Sequence, residues 1–250
     1  MSLVRQGVQF DKKLLDSDAL KIIKKLDKSG YEAYLVGGCI RDLLLGYAPK
    51  DFDIATNATP EQIQKIFKRS RIIGRRFKLV HIMFSARKFI EVATFRSSKT
   101  NPTSTKGMVL RDNFYGSLKD DVFRRDFTIN GLYFDVKNSQ VLDYVQGLED
   151  LKKLQINMIG NPSERFEEDP VRMIRAVRFK TKLKASINSN LNKSIIKNAH
   201  LIASVPPARL YEEVIKLFHN ENSLEVFREL SNLGLLKYLF SQTQEDDFVS

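Results

Sequence analysis

The sequence contains 250 residues, 42% of them hydrophobic and 28% charged, which is typical of a folded globular protein of one or two domains. Its 41 lysines and arginines outnumber its 30 acidic residues. The formal net charge of +11 indicates a polyanionic partner, nucleic acid first and an acidic membrane surface second, or else a basic but inert surface. The single cysteine, Cys39, excludes an internal disulfide and a cysteine-based zinc site. Because the sequence has neither an apolar run of about 18 residues nor a secretory signal at its start, we expect a cytoplasmic protein that does not enter a membrane.

The first 95 residues alternate between helical and strand-like patterns. Residues 12–28 carry apolar side chains at helical spacing. The run Thr59-Pro60-Glu61-Gln62 predicts a helix start, because it combines a capping residue, a proline in the first turn and a glutamine three residues later. A short helix is predicted for CIRDLLLG, and the predicted strands are YEAYLV, DFDIAT, RIIG, KLVHIMF and KFIEVATFR. This order predicts a mixed β-sheet with helices packed on it.

The composition changes after this series of strands. Residues 97–117 are rich in Ser, Thr, Asn, Lys and Gly without periodicity, which predicts a mobile loop beside a site. The runs FTINGLYFDV and QVLDYV then predict a hairpin around Lys137-Asn138-Ser139.

From about residue 150 the patterns become helical. Apolar residues recur at helical spacing, and no run has a clear strand pattern. The helical runs are 163–183, 186–203 and 207–240. The sequence therefore predicts an α+β fold with a mixed-sheet domain over 20–150 and an all-helical region over 151–250.

Two glycines stand between a predicted strand and a predicted helix in LVGGCIRDLLLG. Backbone N–H groups at a helix start attract phosphate, and Gly37 and Gly38 allow a close approach because they have no Cβ. From the following helix Arg41 would reach phosphate oxygens while Asp42 orients it. A Gly-Gly pair is also a common tight turn, so this motif alone leaves both interpretations open.

Two aspartates, Asp51 and Asp53, follow in KDFDIAT. On a strand their side chains share one face, and two carboxylates held so close repel unless a cation lies between them. Mg²⁺ is the hard cation suited to phosphate chemistry, and the neighbouring glycine motif favours this interpretation over loop acids without a metal. Glu91 interrupts the apolar run KFIEVATF, and it is a candidate third ligand or a solvent-facing residue on an edge strand.

A charged cluster, Arg124-Arg125-Asp126, is followed four residues later by Asn130. Arginines make multi-donor contacts with phosphates, and an asparagine can hydrogen-bond a sugar hydroxyl. The cluster is therefore a candidate for holding a nucleotide. Taken alone, it is more typical of a solvated salt-bridge run at the end of a helix.

The run FEEDPVRMIRAVRFK predicts a helix that begins near Pro170. Its arginines recur every three residues and form a basic stripe, and apolar residues between them supply core contacts. A pair between Asp169 and Arg172 would present a fixed acceptor and donor, as the recognition of a nucleobase requires. The candidate RNA phosphate contacts are Arg175, Arg178 and Lys180. Without the other motifs, the run is an ordinary amphipathic helix with a basic face.

Four motifs together resemble one known family. They are LVGGCIRDLLLG, KDFDIATNATPEQ, RRDFTINGLYFD and EEDPVRMIRAVRF. In order and spacing they resemble the class II nucleotidyltransferases, the family of bacterial poly(A) polymerases and tRNA CCA-adding enzymes, over about residues 20–240. Longer strings such as GRRFKLVHIMF are similar to the poly(A) polymerase branch. The resemblance implies a polymerase-β-like nucleotidyltransferase head followed by a helical neck.

The resemblance also assigns roles to matching positions. It implies that Asp51 and Asp53 bind two catalytic Mg²⁺ ions, with Glu91 as the third catalytic carboxylate. The positions that it implies for the triphosphate, ribose and base of ATP are Gly37, Gly38, Arg41, Arg125, Asp126, Asn130, Glu168, Asp169 and Arg172.

Two features depart from the family pattern. Gly131 stands where the family has a small alanine, which is expected to loosen that strand modestly. The family continues into a further helical body that grips RNA, whereas this sequence stops at SQTQEDDFVS. We therefore expect the sequence to be either a truncated piece of a longer protein or a natural short form. The properties that this departure is expected to affect are RNA affinity and processivity.

The implied activity is template-independent addition of AMP from ATP to RNA 3′ ends by a two-metal mechanism. Such chemistry depends on positioning and charge neutralisation, so we expect no nucleophilic Cys or Ser, and Cys39 is interpreted as a small packed residue. The alternatives are a tRNA CCA-adding enzyme, distinguished by the incorporation of CTP, and a non-catalytic RNA-binding module. We expect the protein to be a monomer with RNA and ATP as its partners.

Overall fold

The computed structural model describes residues 2–74, 78–97, 115–218 and 222–240. The chain forms two compact units. The N-terminal unit consists of Met1–Arg125 and Ile129–Leu148, and the C-terminal unit of Asp126–Thr128 and Glu149–Ser250. The chain therefore contributes three residues to the C-terminal unit before it completes the N-terminal unit.

The structure does not test two expectations from the sequence, the mobile loop and the domain boundaries. The predicted mobile loop over 97–117 lies, apart from its two ends, outside the described residues. The predicted domains of 20–150 and 151–250 stay a prediction, because compact units within one chain do not establish that either part folds alone.

An eight-stranded sheet, counted over the described residues, runs through the N-terminal unit. Its strands are β1 (Val4–Gly7), β2 (Ala33–Val36), β3 (Asp53–Thr56), β4 (Ser70–Ile73), β5 (Leu79–Met83), β6 (Phe89–Thr94), β7 (Tyr133–Asp135) and β8 (Gln140–Asp143). They lie in the order β1-β8-β7-β2-β3-β6-β5-β4. Strands β3 and β6 run parallel and the other adjacent pairs antiparallel, so the predicted mixed sheet is confirmed.

The described helices before β8 are α1 (Ser17–Lys28), α2 (Gly38–Leu44), α3 (Pro60–Ile66) and α4 (Leu118–Phe123), with short 3-10 helices at Lys12–Leu14 and Thr128–Asn130. The first predicted helix is thus divided, because Asp16 caps two backbone N–H groups and starts α1 at Ser17. Helix α3 begins with the predicted capping box of Thr59 and Gln62.

Strand β1 was not predicted from the sequence. Its four residues are all exposed, so it lacks the alternation of apolar and polar side chains that indicates a half-buried strand. It is held at the edge of the sheet by antiparallel pairing with β8. Backbone pairing, which leaves no trace in the side-chain pattern, accounts for this element.

The register of the sheet aligns three polar side chains. Asp53 on β3 lies opposite Val36 of β2 on one side and opposite Glu91 of β6 on the other. His81 on β5 lies opposite Glu91. Because residues paired directly across strands project from the same face, Asp53, Glu91 and His81 form a row. Gly37 follows Val36 directly, so the glycine turn begins beside this row.

The C-terminal unit is predominantly helical. The described helices from residue 147 onward are α5 (Gly147–Lys152), α6 (Pro162–Glu168), α7 (Val171–Leu183), α8 (Ser189–Asn198), α9 (Pro207–Phe218), α10 (Ser223–Asn232) and α11 (Leu236–Leu239), with a 3-10 helix at Ala199–Ser204. A short parallel pair, β9 (Gln155–Ile156) and β10 (Ser186–Ile187), was not predicted, since two residues are too few to show a period. The predicted all-helical region therefore contains one small sheet among its described residues.

Helix α7 supplies much of the core of the C-terminal unit. Met173, Ile174 and Val177 on this helix are fully buried. The Phe179 ring meets Phe127 edge to face, with 5.7 Å between ring centroids. Among the helices of the described ranges, none combines the length and the apolar character that crossing a membrane requires.

The buried carboxylate of Asp143 provides a stability test. It accepts hydrogen bonds from the backbone N–H groups of Val145, Gly147 and Leu148 at 2.9, 3.1 and 3.0 Å. Because Asp143→Ala leaves these donors without their acceptor, we expect the free energy of unfolding to fall by about 3 kcal/mol, measured by chemical denaturation.

Asp135→Ala is the matched control. Asp135 makes similar local bonds to the N–H groups of Lys137 and Asn138, but that turn is exposed and water can replace the lost acceptor. We expect a loss below about 1 kcal/mol, and equal losses for the two variants would contradict the role given to burial.

Candidate functional site

Carboxylates cluster in a cavity of the N-terminal unit. The cavity, here called the carboxylate cleft, has a volume of about 470 Å³, and its lining includes Lys50, Asp51, Asp53, Arg87, Phe89 and Glu91. The sequence predicted that both aspartates lie on one strand. Strand β3 begins only at Asp53, so this prediction is wrong for Asp51, which lies in the preceding loop. The physical reason is that pairing with both neighbouring strands starts at Asp53. The cleft nevertheless brings the two aspartates together, with Glu91 on the adjacent strand.

The environment of Asp53 in this cleft disfavours the charged form of its carboxylate. Its side chain keeps access to solvent, but the surrounding protein and the negative charges of Glu91 and Asp51 raise its pKa to about 6, against an opposing effect of Arg125. A cation placed beside Asp53 would relieve this penalty. Hard carboxylate oxygens are the ligands that Mg²⁺ prefers.

The described side chains do not complete a metal site by themselves. Within the described part of the chain, no group of three or more His, Cys, Asp or Glu side chains is arranged to hold a metal ion. Magnesium sites in phosphate chemistry commonly use one or two carboxylates together with substrate phosphates and water. The pair Asp51 and Asp53 fits this kind of site.

His81 is a neighbour of the candidate site that the sequence did not single out. Its Nε2 lies 3.2 Å from Oε1 of Glu91, and its ring stacks on Phe89 with 4.1 Å between centroids. The signal was available in the alternation of KLVHIMF, which puts His81 on a polar position of its strand. The pairing of His81 with Glu91 across the sheet can be identified only when the strand register is known.

The glycine turn lies under two guanidinium groups. Gly37 has a φ of +73°, a conformation that favours glycine, and it precedes helix α2. A Cβ added at Gly37 would lie 3.4 Å from Nη1 of Arg125, and one added at Gly38 would lie 3.5 Å from Nη2 of Arg41. The turn therefore combines a bare backbone with two fixed positive charges, which suits a phosphate group.

Arg41 is fixed by two of the predicted residues. Its Nε and Nη2 donate to Oδ1 of Asp42 at 2.8 and 2.6 Å, and its Nη1 donates to Oδ1 of Asn130 at 2.7 Å. Arg41 and Asn130 are both buried. The expected orientation of Arg41 by Asp42 is thus present, and Asn130 acts on the same guanidinium.

Arg125 is fixed by two residues that the sequence did not identify. Its Nε donates to the Tyr133 hydroxyl at 2.7 Å and its Nη2 to Asp121 at 3.2 Å. The Tyr133 hydroxyl donates to Asp121. Burial would raise the pKa of Asp121, but the guanidiniums of Arg125 and Arg124 outweigh it and lower that pKa. The spacing of four residues between Asp121 on α4 and Arg125, just beyond the end of that helix, was the available signal.

Asp126 belongs to the C-terminal unit, although it directly follows Arg125. Its carboxylate accepts two hydrogen bonds from Arg175, at 2.8 Å from Nε and 2.5 Å from Nη2. The predicted cluster of Arg125, Asp126 and Asn130 is therefore divided between the two units.

The basic stripe on α7 is paired with acidic residues. Besides Asp126, Arg175 has Glu213 at 3.8 Å, and Arg178 has Glu213 at 3.1 Å. Lys180 lies 2.5 Å from Glu229. RNA phosphates would have to compete with these carboxylates, and the assignment of the stripe to RNA stays a prediction.

The acidic residues before α7 make contacts other than the one expected. Oε2 of Glu168 accepts from Nη1 of Arg172 at 2.9 Å, whereas Asp169 accepts from Nη2 of Arg209 at 2.6 Å. The expected side-chain pair of Asp169 and Arg172 is thus replaced by two separate pairs, because Arg209 on α9 reaches Asp169. Oδ1 of Asp169 is buried and has no hydrogen-bond partner within the part of the chain that the structure describes.

Cys39 is a packed residue, as interpreted from the sequence. Its thiol donates to the carbonyl oxygen of Val36 at 3.2 Å, and it is almost fully buried. Burial raises the pKa of the Cys39 thiol to about 12, so a thiolate does not form at neutral pH.

Two family models match the chain. The model described as "Poly A polymerase head domain" matches residues 33–157, which include the glycine turn, the carboxylate cleft residues Asp51, Asp53 and Glu91, and Arg125. The model described as "Probable RNA and SrmB- binding site of polymerase A" matches residues 186–246 in the C-terminal unit. The first match covers half of the chain.

Individual relatives and solved structures agree with these models. The chain is 48% identical over 244 residues to "Poly(A) polymerase I" of Salmonella typhi, covering 94% of this chain and 52% of that protein. It is 38% identical over 220 residues to the "CCA-adding enzyme" of Ligilactobacillus salivarius, covering 88% of this chain and 54% of that protein.

The fold of this chain is similar to that of the Bacillus stearothermophilus CCA-adding enzyme in its crystal structure in complex with CTP, with a TM-score of 0.80. Its sequence identity is 34%, and the match covers 92% of this chain and 55% of that chain. The chain thus spans about half the length of the curated relatives that it matches. With the head-domain model matching half of its residues, the chain belongs to the poly A polymerase head-domain family of class II nucleotidyltransferases.

Proposed function

We propose that this protein transfers AMP from ATP to the 3′-hydroxyl of RNA and releases pyrophosphate. The observation that carries the reaction class is the position of Asp53, between the glycine turn on one side and Glu91 on the other. The choice of ATP and RNA is supported by 48% identity with the Salmonella typhi poly(A) polymerase I.

Arg41 and Arg125 are proposed to hold the triphosphate above the glycine turn. Both guanidiniums are oriented by fixed acceptors before a ligand arrives, so little side-chain freedom is lost on binding. Because the leaving pyrophosphate gains negative charge as the P–O bond breaks, these cations stabilise that charge.

Asp51 and Asp53 are proposed to hold Mg²⁺, with Glu91 as the third carboxylate of the cleft. When bound, Mg²⁺ lowers the pKa of the RNA 3′-hydroxyl and neutralises charge on the phosphates. The raised pKa of Asp53 supports this proposal, since a carboxylate that is unfavourably charged alone gains from a cation.

The residues proposed for the adenine base are those that the family resemblance implies, and those proposed for RNA follow from the net charge and the basic stripe on α7. For the base they are Glu168, Asp169 and Arg172, and for RNA they are Arg175, Arg178 and Lys180. The match to the RNA-binding model over residues 186–246 supports RNA as the second substrate. The cytoplasmic location and the monomeric state stay predictions.

Addition of CCA to tRNA is the second candidate function. It is favoured by the structural likeness to the Bacillus stearothermophilus enzyme bound to CTP. A third interpretation from the sequence, a non-catalytic RNA-binding module, would retain RNA binding without nucleotide addition. The nucleotide that is incorporated separates the three.

Nucleotide addition is tested with purified protein, Mg²⁺, a short RNA and each labelled nucleotide separately. We expect ATP alone to extend the RNA into a ladder, and Asp53→Asn to lower the rate by at least about a thousandfold, because a ligand to the proposed cation is lost. Denaturing gels measure both results.

Asp27→Asn is the control for this experiment, since Asp27 is an exposed acid on α1 outside the carboxylate cleft. It is expected to keep the wild-type rate. Tail growth by Asp53→Asn at the wild-type rate would contradict the assignment of Asp53, and short tRNA-dependent addition from CTP would favour the CCA-adding function.

Cation binding is tested without catalysis through pH and melting temperature. The cleft raises the pKa of Asp53 from 3.8 to about 6, so its charge destabilises the fold fully above pH 6, and this penalty disappears below pH 3.8. In EDTA, Asp53→Asn is therefore expected to melt at a higher temperature than wild type near neutral pH, and the difference should vanish at about pH 3.5.

Adding Mg²⁺ at neutral pH is expected to raise the melting temperature of the wild type and of Asp27→Asn, but not that of Asp53→Asn. The melting temperature rises because a cation that binds the charged Asp53 carboxylate stabilises the folded state, and this occurs only in proteins that contain Asp53. An equal response of all three proteins to Mg²⁺ would contradict cation binding at Asp53.

The proposed RNA contact of Arg175 is tested by salt dependence. Each phosphate contact with single-stranded RNA contributes about 0.7 to the slope of log affinity against log salt concentration. Arg175→Ala is expected to weaken RNA binding and to reduce this slope by about that amount, while Lys152→Ala, the removal of an exposed cation on α5, leaves it unchanged. An unchanged slope with a lower melting temperature would assign Arg175 to its pair with Asp126 alone.

A further inference from the structure

We propose that Lys50, Arg87 and Phe89 form a subsite that binds the 3′-terminal nucleotide of the RNA. The inference rests on the proposed function and adds to it a place for the nucleotide whose hydroxyl is extended. It assigns to the N-terminal unit an RNA contact separate from residues 186–246, which match the RNA-binding model.

The subsite lies on the side of Asp53 away from the glycine turn. The turn follows Val36, which pairs with Asp53 on β2, whereas Phe89 lies two residues before Glu91, which pairs with Asp53 on β6. In phosphoryl transfer the attacking and leaving oxygens lie roughly in line on opposite sides of the phosphorus. With the triphosphate at the glycine turn, the attacking hydroxyl enters from the β6 side, where Arg87, Phe89 and Glu91 line the carboxylate cleft.

Phe89 provides an aromatic surface at this side of the cleft. Its side chain projects from the same face of β6 as Glu91, and 45% of the residue is exposed. Its ring lies parallel to the His81 ring, with an interplanar angle of 12°. Because His81 supports the ring and is itself held near Glu91, Phe89 is a fixed platform, and a nucleobase stacks on such a surface without regard to its identity.

Lys50 and Arg87 supply charge for the phosphates of the terminal nucleotides. Both are exposed at the cleft, and among the described residues neither side chain has a hydrogen-bonding or ion-pairing partner. Lys88 differs, since its Nζ lies 2.8 Å from Asp16 and 2.7 Å from Asp18. These two cations, which have no partner among the described residues, lie with Asp51, Asp53 and Glu91 in one cleft, and this suits a ligand that carries phosphates at one end and places a hydroxyl near the carboxylates.

The size of the cleft agrees with such a ligand. A volume of about 470 Å³ lies within the range of pockets that hold one small molecule or one nucleotide. The combination of a stacking surface, unpaired cations and adjacent carboxylates favours the end of a single-stranded nucleic acid over an apolar ligand or a lipid surface.

Steady-state kinetics of the full chain test the stacking surface. For Phe89→Leu we expect the KM for a short RNA to rise about tenfold, because base stacking on an aromatic ring is lost, with the KM for ATP unchanged. Phe89→Tyr keeps the ring and is expected to retain the wild-type KM for RNA. Ile73→Ala, at a 42% exposed position on β4, is the control for loss of exposed apolar surface.

The two cations are tested as a pair. Lys50→Gln with Arg87→Gln is expected to reduce the salt slope of RNA binding by about 1.4, at about 0.7 for each phosphate contact. The matched control is Lys65→Gln with Arg69→Gln, which removes one lysine and one arginine of the same unit that do not line the cleft. Equal slopes for the two double variants would overturn the cation contacts.

A photocrosslink separates this inference from the proposed activity. RNA that carries 4-thiouridine as its 3′-terminal nucleotide is irradiated with the wild-type chain, and the crosslinked peptide is identified by mass spectrometry. A crosslink to the segment that contains Phe89 supports the subsite even if no nucleotide is added. Crosslinks confined to other segments, or a normal KM for RNA in Phe89→Leu while ATP addition proceeds, would overturn it.

Discussion

The repulsion among carboxylates at the start of strand β3 is the constraint on which the rest of the site depends. Asp53 faces Glu91 across a parallel strand pair and shares a cleft with Asp51, and partial desolvation by the surrounding protein together with these charges raises its pKa to about 6. The positive charge of Arg125 acts in the opposite direction. A carboxylate in such a setting is favoured in its charged form by a neighbouring cation, and this is the basis on which we propose Asp53 as a ligand to Mg²⁺.

The surrounding residues fix this arrangement in place. Asn130 and Asp42 orient Arg41, and Tyr133 with Asp121 orients Arg125, so both guanidiniums are positioned over the glycine turn without a ligand. Preorganised charge of this kind is effective in catalysis because it needs no rearrangement when the phosphates gain charge. The same sheet carries Phe89 and His81 beside Glu91, at the place where we propose that the RNA end binds.

The sequence predicts the mixed sheet, the amphipathic helix α1 and the capping box of α3, because each has a local signal in spacing or residue type. It did not predict β1, β9 or β10, which depend on backbone pairing and show no periodicity. Within the site, Asp51 and Asp53 were identified from adjacent motifs, whereas His81, Tyr133 and Asp121 were missed, since their importance arises from contacts across strands and helices. The separation of Asp126 from Arg125 likewise depends on tertiary structure.

The proposed role of Asp53 is tested most directly by its pKa, measured from the carboxyl ¹³C chemical shift of labelled protein, with Asp53→Asn used to assign the signal. We expect a value near 6 without divalent cations, and a marked fall when Mg²⁺ is added, because the cation favours the charged form. A value close to the ordinary 3.8 that does not respond to Mg²⁺ would contradict the claim that the cleft holds Asp53 ready for a cation.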